Sequence, residues 1–233
     1  MEQPRTTKGQ NTKTLLLDTA LNCFAQLGYQ QSSMRLIAQR AGLSLSHAYY
    51  YFDSKEQIVV ELLTRLRQEQ FDRCHPVLTE GNTLESNIRF TLDTTAEVMG
   101  EYRDFGPTFL KVLLGSQARA EVPGRQIELR LWEEVVEHSR PLPPLSIRRD
   151  LPRFLLLLSR MLLTLWAYDN SEQQARSRRL MRNAAPVAAK FAVLSRLPVV
   201  RSLFDDLLGL MDENASATNE EHGTQPSRRS LAS

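Results

Sequence analysis

The stretch that decides the fold is Ala41–Gln57, AGLSLSHAYYYFDSKEQ. It places a glycine, two serines, a histidine, three consecutive tyrosines and a phenylalanine on one short segment, followed by Ser-Lys-Glu-Gln. A core needs spaced apolar residues, and a loop has no use for a row of bulky rings. The segment therefore takes its meaning from its flanks. Gly42 ends a preceding helix, Ser44 is placed to cap a new one, and that helix runs from Leu45 to about Phe52. Asp53 and Ser54 end it. Ser54-Lys55-Glu56-Gln57 has the capping-box pattern, Ser followed three residues later by Gln. It opens a further helix with the stripe Ile58, Val59, Leu62, Leu63 and Leu66, expected to reach about Cys74 and to stop at Pro76.

Upstream, Thr12–Leu27 is amphipathic: Leu16, Ala20 and Phe24 recur every four residues, with Leu17 and Leu21 on the same side. Gly28 stands where a left-handed C-terminal residue is wanted. Ser32 and Ser33 offer an N-cap for a helix from Met34 to Ala41 that carries Leu36, Ile37 and Arg40. Two short helices joined by a glycine-containing turn form the helix-turn-helix pattern, whose second helix lies in the DNA major groove. That placement gives the tyrosines a purpose. On one and a half turns of helix, successive residues point in different directions. One tyrosine packs inward while its neighbours offer hydroxyls to phosphates, the contacts that position a protein on DNA.

From Gly28 to Leu63 the residues resemble the N-terminal domain of TetR-family transcriptional regulators. The resemblance rests on Gly28, Ser33, Ile37-Ala38, Ala41-Gly42-Leu43-Ser44, Tyr49, Tyr51-Phe52, Lys55 and Ile58, in order and without gaps. It departs from the family pattern at Ser46, where glycine is common, at Ala48, often leucine, and at Leu45, often Arg, Gln or Thr. An apolar Leu45 suits a thymine methyl better than a hydrogen bond. The resemblance implies that Ser33 and Arg35 lie near the DNA backbone. It puts Leu45, Ser46 and His47 over the groove floor, Tyr49 and Tyr51 at phosphates, and Tyr50 at the groove edge. Lys55 would meet a phosphate at a helix N-terminus, which itself favours an anion. Phe24, Ile37, Ala38 and Phe52 would be core.

The rest of the chain reads as helices. Asn82-Thr83-Leu84-Glu85 begins one that reaches Met99. Gly106-Pro107 interrupts a short helix that resumes through Phe109 and Leu113, and Gln126–His138 forms the next. Ser139–Ile147, with Pro141, Pro143 and Pro144, reads as an exposed connector. Asp150 is placed to cap a helix to about Tyr168 that is apolar almost all round, so it must be buried on most sides, partly by a second subunit. Ser171-Glu172-Gln173-Gln174 reads as another capping box. It opens a long helix through Leu180, Val187, Phe191 and Leu194, which Pro186 should kink. Pro198 separates a last helix, Val199–Met211. The polar remainder, 212–233, has no periodicity and reads as disordered.

The expected fold is thus all-α. A three-helix helix-turn-helix domain occupies residues 1–55, with an arm at 1–10, and a helical regulatory and dimerisation domain occupies 56–211. The family resemblance implies a homodimer through helices 150–168 and 171–194, and a small hydrophobic effector among the middle helices. Candidate pocket residues are Phe90, Met99, Phe105, Phe109, Leu113, Trp132, Val136, Arg160, Met161, Leu165 and Trp166. Arg160, in so apolar a helix, needs a partner, with Glu97, Glu101, Glu133 or an acidic ligand group as candidates.

Composition agrees with a globular protein: 233 residues, 42% hydrophobic and 24% charged. The net charge of +2 says little about partners, but its distribution is uneven. Residues 140–182 hold nine arginines against three acids, a balance of +6, and residues 1–60 hold six Lys/Arg against four acids, a balance of +2. Cys23 and Cys74 lack metal spacing and read as reduced thiols of a cytoplasmic protein. MEQPRTTKGQ has no apolar stretch of the secretion type. Phe154–Tyr168, the most apolar segment, falls short of the about twenty residues a membrane span needs. Histidines 47, 75, 138 and 222 are scattered, and no zinc-protease, nucleophile-elbow, phosphate-loop or Cys/His cluster pattern occurs. No cofactor, metal or catalytic residue is expected; the helix-turn-helix makes double-stranded DNA the expected partner. The alternatives are a ligand-independent or activating regulator, or a helical protein-interaction module.

Overall fold

A computed structural model describes residues 7–100, 102, 106–108, 110 and 124–194. Every regular element among them is helical: α1 (Thr7–Leu27), α2 (Met34–Arg40), α3 (Leu45–Tyr51), α4 (Lys55–Leu78), α5 (Leu84–Gly100), α6 (Gly124–Glu137), α7 (Leu145–Arg148), α8 (Leu151–Ala167) and α9 (Ala175–Leu194). The all-α class read from the sequence is thus observed.

Two cores hold these helices. The N-terminal core joins Leu16, Ala20 and Phe24 of α1, Ile37 and Ala38 of α2, Ala48 of α3 and Phe52 to Ile58, Val59, Leu62, Leu63 and Leu66 of α4. The C-terminal core joins Cys74 and Leu78 of α4 to Ile88 and Leu92 of α5, Leu131, Trp132 and Val135 of α6, Leu155, Leu162 and Trp166 of α8, and Met181 and Ala185 of α9. α4 runs through both, and α5 reaches the N-terminal core with Val98. α4 packs along α5 and α6, while α9 packs along α5 and α8. Each fully buried leucine or isoleucine of these stripes contributes about 1.5–3 kcal/mol by leaving water.

The helix ends follow local chemistry. Gly28 closes α1 at φ 81° with its N–H on the Phe24 carbonyl at 2.9 Å, and Gly42 turns the chain after α2 at φ 69°. Both positions are in the left-handed region that glycine enters without penalty. α1 begins five residues earlier than its apolar pattern indicates. α4 runs through Pro76 to Leu78. A proline in the last turn removes one backbone donor but leaves Leu78 free to enter the C-terminal core, and Asn82 Nδ2 donates to the Val77 carbonyl. Thr83, not Asn82, caps α5, its hydroxyl accepting from Ser86 N–H at 3.2 Å. Gly106, Pro107 and Thr108 are helical, and the interruption expected there falls partly outside the described residues. The 139–147 connector folds at its end into the one-turn α7.

The joint between α8 and α9 departs furthest from expectation. Asp150 makes no side-chain cap of α8. Ser171 does not open α9 as a capping box. Residues Glu172–Gln174 form a single 3-10 turn, with Gln173 and Gln174 at positive φ, and α9 starts at Ala175. The organiser is Asp169. Its carboxylate accepts from Ser171 N–H (2.9 Å) and hydroxyl (2.6 Å) and from Ser177 N–H (2.8 Å) and hydroxyl (2.7 Å). Those bonds, from Ser171 foremost, hold its carboxyl well below the usual carboxylate range. α9 runs through Pro186 to Leu194. The helix expected at 199–211 and the tail at 212–233 lie outside the described residues.

Phe52 closes the N-terminal core at 1% exposure. Phe52→Ala should cost about 3–5 kcal/mol of stability, read as a lowered urea midpoint.

Candidate nucleic-acid interface

The helix-turn-helix is built from α2 and α3, each of seven residues. So short a helix cannot stand alone and is fixed by its ends and its inner face. Ser33 Oγ accepts from Leu36 N–H and Ser44 Oγ from His47 N–H, each at 3.2 Å. Ser32 is fully buried and donates to the Gly28 carbonyl, so it ties the turn while Ser33 does the capping. Ala48 is buried beneath α3, and Leu45 and Tyr51 pack half-buried on the same core.

The remaining residues of α3 face outward. Ser46 and His47 are exposed, Tyr49 is 44% exposed and Tyr50 57%. Tyr51 is the inward tyrosine: its ring meets Tyr50 edge-on at 5.1 Å and His47 at 5.4 Å. Ser44 and Ser46 hydroxyls lie 3.1 Å apart. Ser33 and Arg35, at the start of α2, are exposed. A concave groove of about 480 Å³ joins the N-termini of α2 and α4 to α3; Ser33, Arg35, Leu45, Tyr49, Ser54 and Lys55 line it. Two helix N-termini open onto this groove, and their unsatisfied N–H groups and dipoles favour an anion.

The start of α4 is more constrained than the sequence shows. Ser54 Oγ accepts from Gln57 N–H at 3.2 Å, but Gln57 Oε1 accepts from Asp53 N–H, one residue earlier than a strict capping box. Lys55 Nζ donates to the Tyr29 carbonyl at 2.7 Å and stands 4.4 Å over the Tyr29 ring. Tyr29 in turn donates its hydroxyl to Glu56 Oε1 at 2.8 Å. Burial first, then the Glu56 hydrogen bond, pushes the Tyr29 phenol well above its ordinary value. Burial pushes the Glu56 carboxyl up, but bonds from Tyr29, its own backbone and Ser54, with Lys55 nearby, leave it net below the usual range. Sequence reasoning missed Tyr29, because a tyrosine after Gly28 carries no local signal of a partner 27 residues away.

The candidate effector residues divide. Trp132, Val136 and Trp166 are buried in the C-terminal core, and Phe90 and Met99 pack half-buried against it. The Trp166 Nε1–H is buried with no acceptor. Met161 and Leu165 lie instead on the outer face of α8, 56% and 51% exposed, because α8 buries the opposite stripe of Leu151, Leu155, Ser159, Leu162 and Trp166. The expectation that α8 is apolar on all sides holds, but half of that surface is open. Arg160 finds its partner on α6, donating to Glu128 Oε2 at 2.8 Å, rather than at Glu97 or Glu133; Glu101 lies outside the described residues. Glu128 lies one to two turns N-terminal of the expected Glu133, on the side of α6 that meets α8. Phe105, Phe109 and Leu113 lie outside the described residues.

Among the described residues no group of three His, Cys, Asp or Glu side chains could hold a metal ion, and no helix is long and apolar enough to cross a membrane. The profile of bacterial regulatory proteins of the tetR family matches residues 16–62. The HTH-type regulator YuxN of Bacillus subtilis is 33% identical over 91 residues, 39% of this chain and 31% of that protein. The repressor KstR2 of Rhodococcus jostii is 30% identical over 87 residues, 37% of this chain and 43% of that protein. The chain thus spans less than half the length of these curated relatives. The fold matches further: Thermus thermophilus FadR, a TetR-family repressor solved with lauroyl-CoA, superposes with a TM-score of 0.58 over 75% of this chain and 93% of that one, at 19% identity. The N-terminal part of the chain is thus similar to regulators of the tetR family, and its fold to that of solved TetR-family regulators.

Tyr29→Phe removes the hydroxyl that holds the Glu56 carboxylate. Because the folded carboxyl titrates below its unfolded value, its stabilisation is present above the ordinary carboxylate range and is lost as pH falls through the folded value. The wild-type melting temperature should exceed that of Tyr29→Phe at neutral pH, and the Glu56-linked part of the gap should close as pH falls below about 4.3; melting curves across pH check it.

Proposed function

We propose that the chain is a cytoplasmic, homodimeric transcriptional regulator that represses through a palindromic operator and is released by a small hydrophobic effector. In this reading residues 1–55 bind DNA, 56–211 regulate and dimerise, and 212–233 form a tail. The observation that carries DNA binding is the outward face of α3, with Ser46, His47, Tyr49 and Tyr50 exposed between two capped helix N-termini. Ser46 and His47 read base edges, while Tyr49, Tyr50 and the groove at Ser33 and Arg35 meet phosphates. Lys55, anchored to the Tyr29 carbonyl, keeps two ammonium protons for a phosphate. Tyr51 acts from behind, supporting the rings of His47 and Tyr50.

Dimerisation is supported by two apolar stripes. On α8 they are Phe154, Leu158, Met161, Leu165 and Tyr168, and on α9 Leu180, Ala184, Val187, Phe191 and Leu194. Both step by four and three residues, the spacing of a helix seam. α8 and α9 lie antiparallel, with the Phe154 and Phe191 rings stacked at 5.4 Å. Tyr168 at 63% and Val187 at 66% exposure are costly to leave in water, and a second copy laid across them completes a four-helix bundle. A two-fold dimer puts two recognition helices about 34 Å apart, one turn of DNA. An effector is supported by the buried Trp166 indole N–H, which offers a donor to a polar atom of an otherwise apolar ligand. Relatives of known ligand give the precedent of an acyl-CoA in the FadR structure.

Selection of duplexes from random DNA by the purified chain tests the reading. A palindrome with half-sites one turn apart is expected, with a log–log salt slope of about −0.9 per phosphate contacted. His47→Ala should change the preferred bases, whereas Tyr49→Phe should weaken all sequences alike. Failure to enrich any sequence at low salt would leave a helical interaction module as the better reading. Separately, Val187→Glu should convert the dimer to a folded monomer in sedimentation equilibrium.

A further inference from the structure

We propose that Glu128 is the joint that fixes the inclination of α4 against the C-terminal helices, and so positions the recognition domain relative to the rest of the chain. Its side chain is 9% exposed and one oxygen, Oε2, serves two arginines from two other helices. Arg160 of α8 donates to it at 2.8 Å, and Arg67 of α4, 11% exposed, approaches it at 3.3 Å. Three helices therefore meet on a single carboxylate.

The place on α4 matters. Leu66 is the last α4 residue of the N-terminal core, and Phe71 and Cys74 are the first that pack on the C-terminal one. Arg67 stands at the border between them. Beyond it, the C-terminal half of α4 is tied to α6 a second time, by His75 Nδ1 and Glu134 Oε2 at 2.6 Å. Before it, the twelve residues back to Lys55, about 18 Å of helix, carry the helix-turn-helix. A small rotation of α4 at Arg67 is thus multiplied at α3.

Gly124 supplies an independent sign that this crossing is set closely. It is one turn before Glu128 on α6. A Cβ there would come 2.9 Å from Arg67 Cδ and 3.2 Å from the Thr64 Cα. A Cβ at this position would require Arg67 to move and α4 to give by a few tenths of an ångström, so α6 and α4 meet closely here. The guanidinium fork of Arg67 then finds Glu128 in one orientation, and the pairing is directional because the groups are shielded from water. An apolar contact would tolerate sliding; a shared carboxylate does not.

The experiment needs no DNA, so its outcome is separate from the reading of DNA binding. Gln39→Cys on α2 and Glu133→Cys on α6 are exposed sites for spin labels, and the native Cys23 and Cys74 are buried. Labelled full-length chain is diluted into unlabelled chain so that only distances within one protomer are read by pulsed electron resonance. A single narrow distance distribution is expected for the parent. In Glu128→Gln and in Arg160→Met it should broaden and its maximum move. Leu155→Ala, which hollows the C-terminal core away from the joint, should lower the melting temperature and leave the distribution in place. An unchanged distribution in folded Glu128→Gln overturns the proposal. Should that variant not fold, Arg160→Met, which removes the partly exposed partner, decides by the same criterion.

Discussion

The whole molecule depends on the continuity of α4. Its first half is one wall of the recognition domain and its second half is one wall of the C-terminal core. A helix is stiff over this length because each turn is hydrogen-bonded to the next, so the two cores are joined by a rod and not by a linker. Pro76 lies in the last turn of that rod, where the N–H it lacks would have bonded the Asp72 carbonyl, so only the end of the helix is weakened.

Much of the N-terminal half was legible in the sequence because its signals are local. Gly28 and Gly42 end helices where only glycine is comfortable, Ser33, Ser44 and Ser54 cap the helices that follow, and the stripe from Ile58 to Leu66 faces one core. That one tyrosine turns inward followed from helical periodicity, but the resemblance put Tyr51 at a phosphate, whereas Tyr51 is the ring that packs on the core. What stayed hidden there is the chain Lys55–Tyr29–Glu56, made of residues far apart in sequence that no spacing relates.

The C-terminal half was legible as helices but not as joints. The apolar helix at 151–167 was plain, yet which side is open depends on where α6 and α9 lie, and so Met161, read as a pocket candidate, lies on the exposed face. Arg160 announced that it needed a partner without saying which acid α6 would present. The Ser171 capping box failed because Asp169, two residues before it, takes the Ser171 and Ser177 N–H groups, while Ser171 Oγ accepts from Arg176 N–H instead. A carboxylate accepting four bonds is a stronger organiser than a single hydroxyl.

The seven residues of α3 divide their labour unevenly. Ala48 sinks fully into the core, Leu45 and Tyr51 half rest on it, and Ser44 pins the start from outside the helix. Ser46, His47, Tyr49 and Tyr50 stand outside that core. In the DNA-binding reading proposed above, a descendant of this chain is able to rewrite those four letters without hollowing the core, so that drift in what is read is uncoupled from drift in what holds the reader together.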